Sequence, residues 1–411
     1  TLGYGSNWGT AGNRRIKTHI ANFTYVDWWN STDCGGSGRM TTPDGQAPKV
    51  IQHTWGGGSS GISMWLMNNG EVYAAGYNGH GQLGISGTSN KYTAHRVSAT
   101  DTTDWLGNTI PYSFNNTRIK KVASSSQGSN DSAQVMYALD EFGGVWAWGY
   151  NGVAGNGLGS NAITNSTSGG NMYTDNGSTY RPRRIPNGFF NDKRIVDIMA
   201  FGGSRPRAFA VDEDGDLWAW GNDRGGELGL GERQDSDGWS YFPTPQRVDV
   251  DWKRYGGIKK IMQCGNDSGW HQRVAILDGQ NKLWVSGMFG GGGAAQSLAN
   301  AGGSSAGPNH RTTYGIHTRF TRLLKGWWRD HDIENFWIHG DTGAWVMYIR
   351  EKGTGFTYSL GHNVYGVLGQ GMNHRYWYGG DDSTNYTTEP GLIEGPVNVV
   401  KSVNTNTGSP S

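Results

Sequence analysis

Apolar residues along this chain come in short bursts of four to six, each alternating with small or polar residues. A period of two marks β-strands, because successive side chains of a strand point to opposite faces. Leu217-Trp218-Ala219-Trp220 shows it plainly, with both Trp on one face. Each burst runs into an acidic or glycine turn, then a second burst ending in small-aromatic-Gly, then a Gly-rich loop. The phrase reads SMWLMNNGEVYAAGYNGHGQLG at Ser63–Gly84 and VMYALDEFGGVWAWGYNGVAGNGLG at Val135–Gly159. It returns at Arg207–Gly229, Arg273–Gly293 and Trp345–Gly369. The Gly closing the second strand recurs at Gly76, Gly149, Gly221, Gly287 and Gly361, spaced by 73, 72, 66 and 74 residues. Gly3 lies 73 before Gly76, so the chain begins inside a repeat. A fixed period of this kind is the signature of a repeat architecture.

Two further strands complete each unit. A basic-apolar strand precedes each hairpin, as in 118–122 (Arg-Ile-Lys-Lys-Val) and 258–261 (Ile-Lys-Lys-Ile). An Arg-apolar strand follows each Gly-rich loop (Arg96-Val97, Arg184-Ile185, Arg247-Val248, Arg322-Leu323), often with a Trp after it (Trp105, Trp252, Trp327). Four short strands are the content of one propeller blade. The Trp face predicts burial of Trp148 and Trp220 between neighbouring blades, where large aromatic rings contribute most to stability.

The A-L-D-x-x-G-x-(V/L)-W-A-W-G core and the G-x-N-x-x-G-x-L-G tail, taken together, resemble the RCC1 repeat family. That family includes chromatin-bound exchange factors, plant UV receptors, bacterial β-lactamase inhibitors and phage proteins. The resemblance covers almost the whole chain and implies an all-β propeller of about six four-stranded blades, or seven if a whole repeat is missing. The fourth copy departs most, with Met288-Phe289 and a Gly run where the tail belongs. Val397-Asn398-Val399-Val400-Lys401 opens a sixth unit, for which the N-terminus supplies Gly3 and Arg15-Ile16. The expectation is a single domain, 1–411, closed by terminal strands sharing one blade and forming part of a longer chain.

Composition agrees with this reading. The 68 Gly and 19 Trp suit many tight turns around aromatic packing. A net charge of +1 creates no overall field favouring nucleic acid or an anionic membrane, and no stretch is apolar enough for membrane insertion. Cys34 and Cys264 alone make no disulfide framework.

Candidate chemistry is sparse. Asp212-x-Asp214-Gly215-Asp216 resembles the start of a calcium loop, but a full loop needs a later bidentate Glu, and the other copies have ordinary hairpin turns there. The Gly-rich tails lack the Lys-Ser/Thr of a phosphate loop and read as turns. His331 and His339 flank Asp330, Asp332 and Asp341 without the converging set that a metal needs. No nucleophile elbow, HExxH or paired-carboxylate signature appears. The reading is therefore no catalytic residue, no metal and no cofactor. The tryptophans sit at repeat positions and are read as core. Only Gly326-Trp327-Trp328-Arg329-Asp330-His331 approaches the Gly-Trp-Arg-His-Thr motif of the UV receptors.

The non-repeating parts are the insertions after the tails, at about 30–46, 85–95, 160–180, 230–244, 291–318 and 370–391. Rigid aromatics among Ser, Thr, Asn and Gly suit recognition. Trp239, Tyr241, Tyr376, Trp377 and Tyr378 are the candidate surface anchors. The expected function is non-catalytic: a phage virion component such as a tail, fibre or capsid-decorating protein, extracellular or on the virion. Its expected partners are fellow subunits, in a homo-oligomer or otherwise, or a host-surface protein or glycan. The alternative is an intracellular protein-binding regulator of exchange-factor or inhibitor type, or a propeller lyase or glycosidase.

Overall fold

The structure is a computed structural model that describes residues 49–56, 61–125, 134–150, 157–158, 181–202, 206–223, 225–231, 241–265, 272–289, 316–340, 345–361, 367–370 and 390–393. These residues form five four-stranded antiparallel sheets, each a simple meander in chain order. The first comprises β1 (Val50–Gly56), β2 (Ile62–Met67), β3 (Val72–Gly76) and β4 (Lys91–Arg96). The second has β5 (Ile119–Ser124), β6 (Val135–Asp140), β7 (Val145–Gly149) and β8 (Arg183–Arg184). The third has β9 (Ile195–Phe201), β10 (Arg207–Asp212), β11 (Leu217–Asn222) and β12 (Tyr241–Arg247). The fourth has β13 (Ile258–Cys264), β14 (Arg273–Asp278), β15 (Leu283–Met288) and β16 (Ile316–Arg322). The fifth has β17 (Ile333–Gly340), β18 (Trp345–Glu351), β19 (Thr357–Gly361) and β20 (Gly391–Leu392). β20 ends what the sequence reads as the 370–391 insertion. The sixth unit expected from 1–48 and 397–401 lies outside the described residues.

The sheets group into two compact units. One contains the chain up to Asp214 with 218–222 and 241–246, which carries the first three sheets apart from Leu217 at the start of β11 and Arg247 at the end of β12. The other contains 215–217, 223–240 and the chain from Arg247, which carries the last two sheets. Each unit has its own apolar core.

The recurring hairpin is held by a buried carboxylate. Asp140 accepts hydrogen bonds from Phe142 N and Gly144 N on Oδ1 (2.9 and 2.7 Å) and from the Trp146 indole on Oδ2 (2.8 Å). Asp212 receives Asp214 N and Trp218 Nε1 in the same way, both at 2.9 Å. Asp278 receives Lys282 N and Trp284 Nε1, also at 2.9 Å. The acid of the A-L-D-x-x-G motif thus closes the turn and satisfies the ring that its own hairpin buries, as a buried polar group requires. Gly70 and Gly143 follow in the left-handed region (φ 89° and 88°), where a side chain would collide with Arg118 or Arg194 of the next sheet.

A single turn in each connection delivers one aromatic ring onto the next sheet. Phe114 meets Trp146 and Trp148 edge-on at 5.5 and 5.8 Å, and Phe190 meets Trp218 and Trp220 at 5.7 and 5.9 Å. Trp252 packs on Trp284 at 5.1 Å, and Trp328 is likewise buried. Trp148 and Trp220 are fully buried, as their strand face predicts. The expected Trp of the connection is the buried ring only at Trp252. Elsewhere Phe114 and Phe190 take the place, and Trp328 rather than Trp327.

The fourth sheet repairs its own departure from the repeat. The Trp148 indole donates to Gln82 O of the preceding Gly-rich tail at 2.9 Å. Ser286 stands at that position in β15, and its hydroxyl donates to the corresponding Glu227 O at 2.7 Å. The missing ring volume is supplied from β16. A side chain at Gly84 would meet Val97 and Trp148, but one at the equivalent Gly229 would collide with Phe320.

Candidate functional site

Most of the chemistry singled out in the sequence resolves into scaffold, and Asp341 lies outside the described residues. In the calcium-like segment, Asp212 is taken by the turn and Trp218. Asp214 pairs with Lys193 at 2.6 Å, and Asp216 with Arg247 at 2.9 Å. The first and third Gly-rich tails are Asx-closed turns: Asn78 Oδ1 accepts from Leu83 N at 2.9 Å and Asp223 Oδ1 from Leu228 N at 2.7 Å. His331 stacks on Trp327 at 4.1 Å and bonds to its carbonyl at 2.8 Å, while Asp330 pairs with Arg329 and Asp332 with Lys282. No group of three His, Cys, Asp or Glu side chains converges among the described residues. Among the same residues no helix is long and apolar enough to cross a membrane. Cys264 is a buried free thiol whose pKa burial pushes up.

A polar row that sequence reading passes over runs along the first strands. β1 faces β5 and β5 faces β9 in one unit, and β13 faces β17 in the other. At one equivalent register position stand Gln52, Lys121 and Asp197, and in the second unit Lys260 and Asn335. Gln52 bonds to both Val122 N and Val122 O, and Lys121 is paired with Asp197. Lys260 donates to Asn335 Oδ1 at 2.8 Å and to Phe336 O at 2.6 Å, with burial lowering its pKa. The signal was present in the repeated Ile-Lys-Lys of 119–121 and 258–260. Only the register shows that the second Lys bonds sideways to the next sheet while Lys120 and Lys259 are exposed.

Beyond the hairpin turns lie open clefts. One of about 630 Å³ is lined by Asn69, Glu71, Arg96, Phe114, Asn115 and Arg118, among others. Its charges are engaged: Arg96 with Glu71 at 3.0 Å, and Arg118 with Asn68 O at 2.8 Å. In the second sheet Arg184 donates to Tyr112 Oη at 2.6 Å and lies over the Trp146 ring. Burial, then the charge of Asp140, push the Tyr112 phenol up to about 12.

Of the candidate anchors, Tyr241 opens β12 and is half-buried. Trp239, Tyr376, Trp377 and Tyr378 lie outside the described residues, so the structure does not bring the five together. The insertion at 85–95 is described, and it carries Tyr92, an aromatic 52% exposed that sequence reading left out.

No family model matches the chain. Over 310 residues it is 26% identical to the Ultraviolet-B receptor UVR8 of Arabidopsis thaliana, covering 74% of this chain and 51% of that protein. The chain thus spans about half the length of the curated relative it matches. In structure it is similar to Prp20p of Saccharomyces cerevisiae, whose binding to Gsp1p and histones accompanies its crystal structure. The TM-score is 0.54 at 19% identity, over 85% of this chain and 64% of that one. Yeast RCC1 (Prp20) bound to Kap60 gives 0.53 at 18% identity, over 85% and 62%. The extracellular or virion location expected above is corrected by these comparisons: the proteins matched are a plant ultraviolet-B receptor and a yeast protein described by its binding to Gsp1p and histones. The expectation failed because Gly and Trp content reports the fold: Gly70 and Gly143 are turn residues, and Trp65, Trp146, Trp148, Trp220, Trp252 and Trp345 are core. An affinity to phage proteins in particular finds no support either. The chain is an all-β protein similar in fold to the RCC1-like β-propellers, with five four-stranded sheets among its described residues.

Proposed function

We propose that this chain is a non-catalytic protein-binding module of the regulator type, the RCC1-like repeat serving as a rigid frame for recognition loops. The observation that carries the reading is the fold likeness to Prp20p, for which the named partners are proteins. The disposition of the polar groups supports it. Asp140, Asp212 and Asp278 are spent on turns and indoles in every copy that has them. What varies between copies is the set of insertions, and there Trp239, Tyr241, Tyr376, Trp377 and Tyr378 are the proposed anchors. Aromatic rings bring large contact area for few rotatable bonds, which is why they dominate binding energy at interfaces.

The test is direct. Proteins labelled by proximity to the chain in its native cell are purified and titrated against the isolated chain by calorimetry. Trp239→Ser and Trp377→Ser are then expected to weaken binding of a genuine partner by tenfold or more with unchanged circular dichroism. Full affinity in both variants would remove these loops from the interface, and turnover of a small substrate by the purified chain would end the non-catalytic reading.

A further inference from the structure

The fifth hairpin breaks the repeat at two positions that elsewhere serve the scaffold. The residue facing the first strand's polar position is Leu66 opposite Gln52, Leu139 opposite Lys121, Val211 opposite Asp197 and Leu277 opposite Lys260. In the fifth sheet it is Arg350 opposite Asn335. Two residues further on, the second and third sheets carry an acid that caps the entry to the first strand. Glu141 Oε1 accepts from Arg118 N at 3.1 Å and Glu213 Oε1 from Arg194 N at 3.3 Å. The fifth sheet has Lys352 there. Its backbone keeps the scaffold bond, Lys352 N to Asp332 O at 2.7 Å, just as Glu141 N bonds Arg118 O. Its ammonium cannot replace the carboxylate cap. An apolar residue and an acid have thus both become cations, with the pairing to the first strand kept and the turn between them and the third strand one residue longer, Glu351 N bonding Phe356 O where Asp140 N bonds Gly144 O. A break in local pattern without structural gain is where function is expected.

Both cations line one cleft of about 480 Å³, together with Lys259, Asn281, Glu334 and Gly353. Glu334 Oε2 pairs with Arg350 Nε at 2.9 Å and is the single acid in the lining. Lys259 bonds to the neutral Asn281 Oδ1 at 2.6 Å, so its charge stays uncompensated. Lys352 Nζ and the terminal nitrogens of Arg350 have no bonded partner among the described residues. Gly353 sits at φ 93° with open space where a side chain would stand, so a ligand can approach its backbone.

We propose that this cleft binds a phosphomonoester dianion. Three cations against one carboxylate leave two positive charges, matching a phosphoryl group at neutral pH. The free edge of the Arg350 guanidinium offers a planar fork for two phosphoryl oxygens, and Lys259 and Lys352 act as point charges at its flanks. The volume exceeds that of a phosphoryl group and leaves room for whatever bears it. The same chemistry is presented by a phosphorylated side chain of a protein and by a small phosphorylated metabolite. Because the cations face solvent, binding should weaken as salt rises.

Calorimetric titration of the whole chain with phenyl phosphate, with a phosphoserine peptide and with its unphosphorylated counterpart tests the assignment. The variants are Arg350→Leu and Lys352→Glu, each restoring a residue type that other copies carry at that position and therefore compatible with the fold. The expected result is saturable binding of the phosphorylated probes only, weakened at least tenfold in each variant. A phosphopeptide bound much more tightly than phenyl phosphate points to a protein source, and equal affinities to a metabolite. No binding of either phosphorylated probe, or binding that survives both substitutions, overturns the proposal.

Discussion

Replacing Trp148 by Ala tests the packing logic of the whole repeat. The ring is fully buried, meets Phe114 edge-on at 5.8 Å and donates from Nε1 to Gln82 O at 2.9 Å. Truncating a core Trp costs about 3–5 kcal/mol through lost transfer energy and the cavity left behind. Stranding the Gln82 carbonyl adds on the order of 1 kcal/mol. A loss of about 4–6 kcal/mol is comparable with the entire stability of many domains, roughly 5–15 kcal/mol. The assay is urea unfolding followed by far-ultraviolet circular dichroism, because 19 Trp make fluorescence difficult to assign. With a slope of about 3 kcal/mol/M, the midpoint should fall by roughly 1–2 M. Trp55→Ala is the internal control: that ring is 68% exposed, and its removal should change stability by no more than about 0.5 kcal/mol. If Trp148→Ala costs under about 1 kcal/mol, or no more than the control, the strand facing and the role of the connection aromatics are wrong.

Three further outcomes follow from the same geometry. Ser286→Trp should overpack against Phe320 and cost about 1–3 kcal/mol, and adding Phe320→Ala should recover part of that loss, whereas additive effects in the double-mutant cycle would show that the two side chains do not share one space. Asp278→Ala removes a fully buried carboxylate that holds Arg322 at 2.8 Å and Trp284 at 2.9 Å. Leaving that cation unpaired should destabilise by about 3–5 kcal/mol, and a change below 1 kcal/mol in denaturant midpoint analysis would deny the turn its role. Burial holds the His317 imidazole down to about 4, so the unfolded chain takes up this proton first as pH falls. Stability should therefore be unaffected by this group above about pH 6.5 and fall between there and about pH 4, by roughly 3 kcal/mol in all. His317→Gln should flatten that part of the stability–pH curve, and an unchanged slope would refute the burial effect.

The repeat itself was legible in the chain. Strand pairs with period two, an acid at the turn and a closing Gly every 66 to 74 residues determine four-stranded meanders before any coordinate is known. These are local signals, since alternation sets which face is apolar and the turn residues set the register within a hairpin. The fates of single side chains were not legible. Asp140 and its copies read as turn residues, and only the fold brings the indole of Trp146 back onto the carboxylate. Phe320 lies 34 residues beyond Ser286 in sequence and carries no mark of compensating for it; β15 and β16 must first pair. Arg350 and Lys352 carry no mark in the sequence, and only the strand register shows which scaffold residues they replace. The anchors Trp239, Tyr376, Trp377 and Tyr378 stand on insertions without repeat periodicity, so neither a local pattern nor the described sheets determine their position. Sequence decided what depends on neighbours along the chain. Packing across sheets depends on residues some 70 positions apart, and the tertiary structure alone decided that.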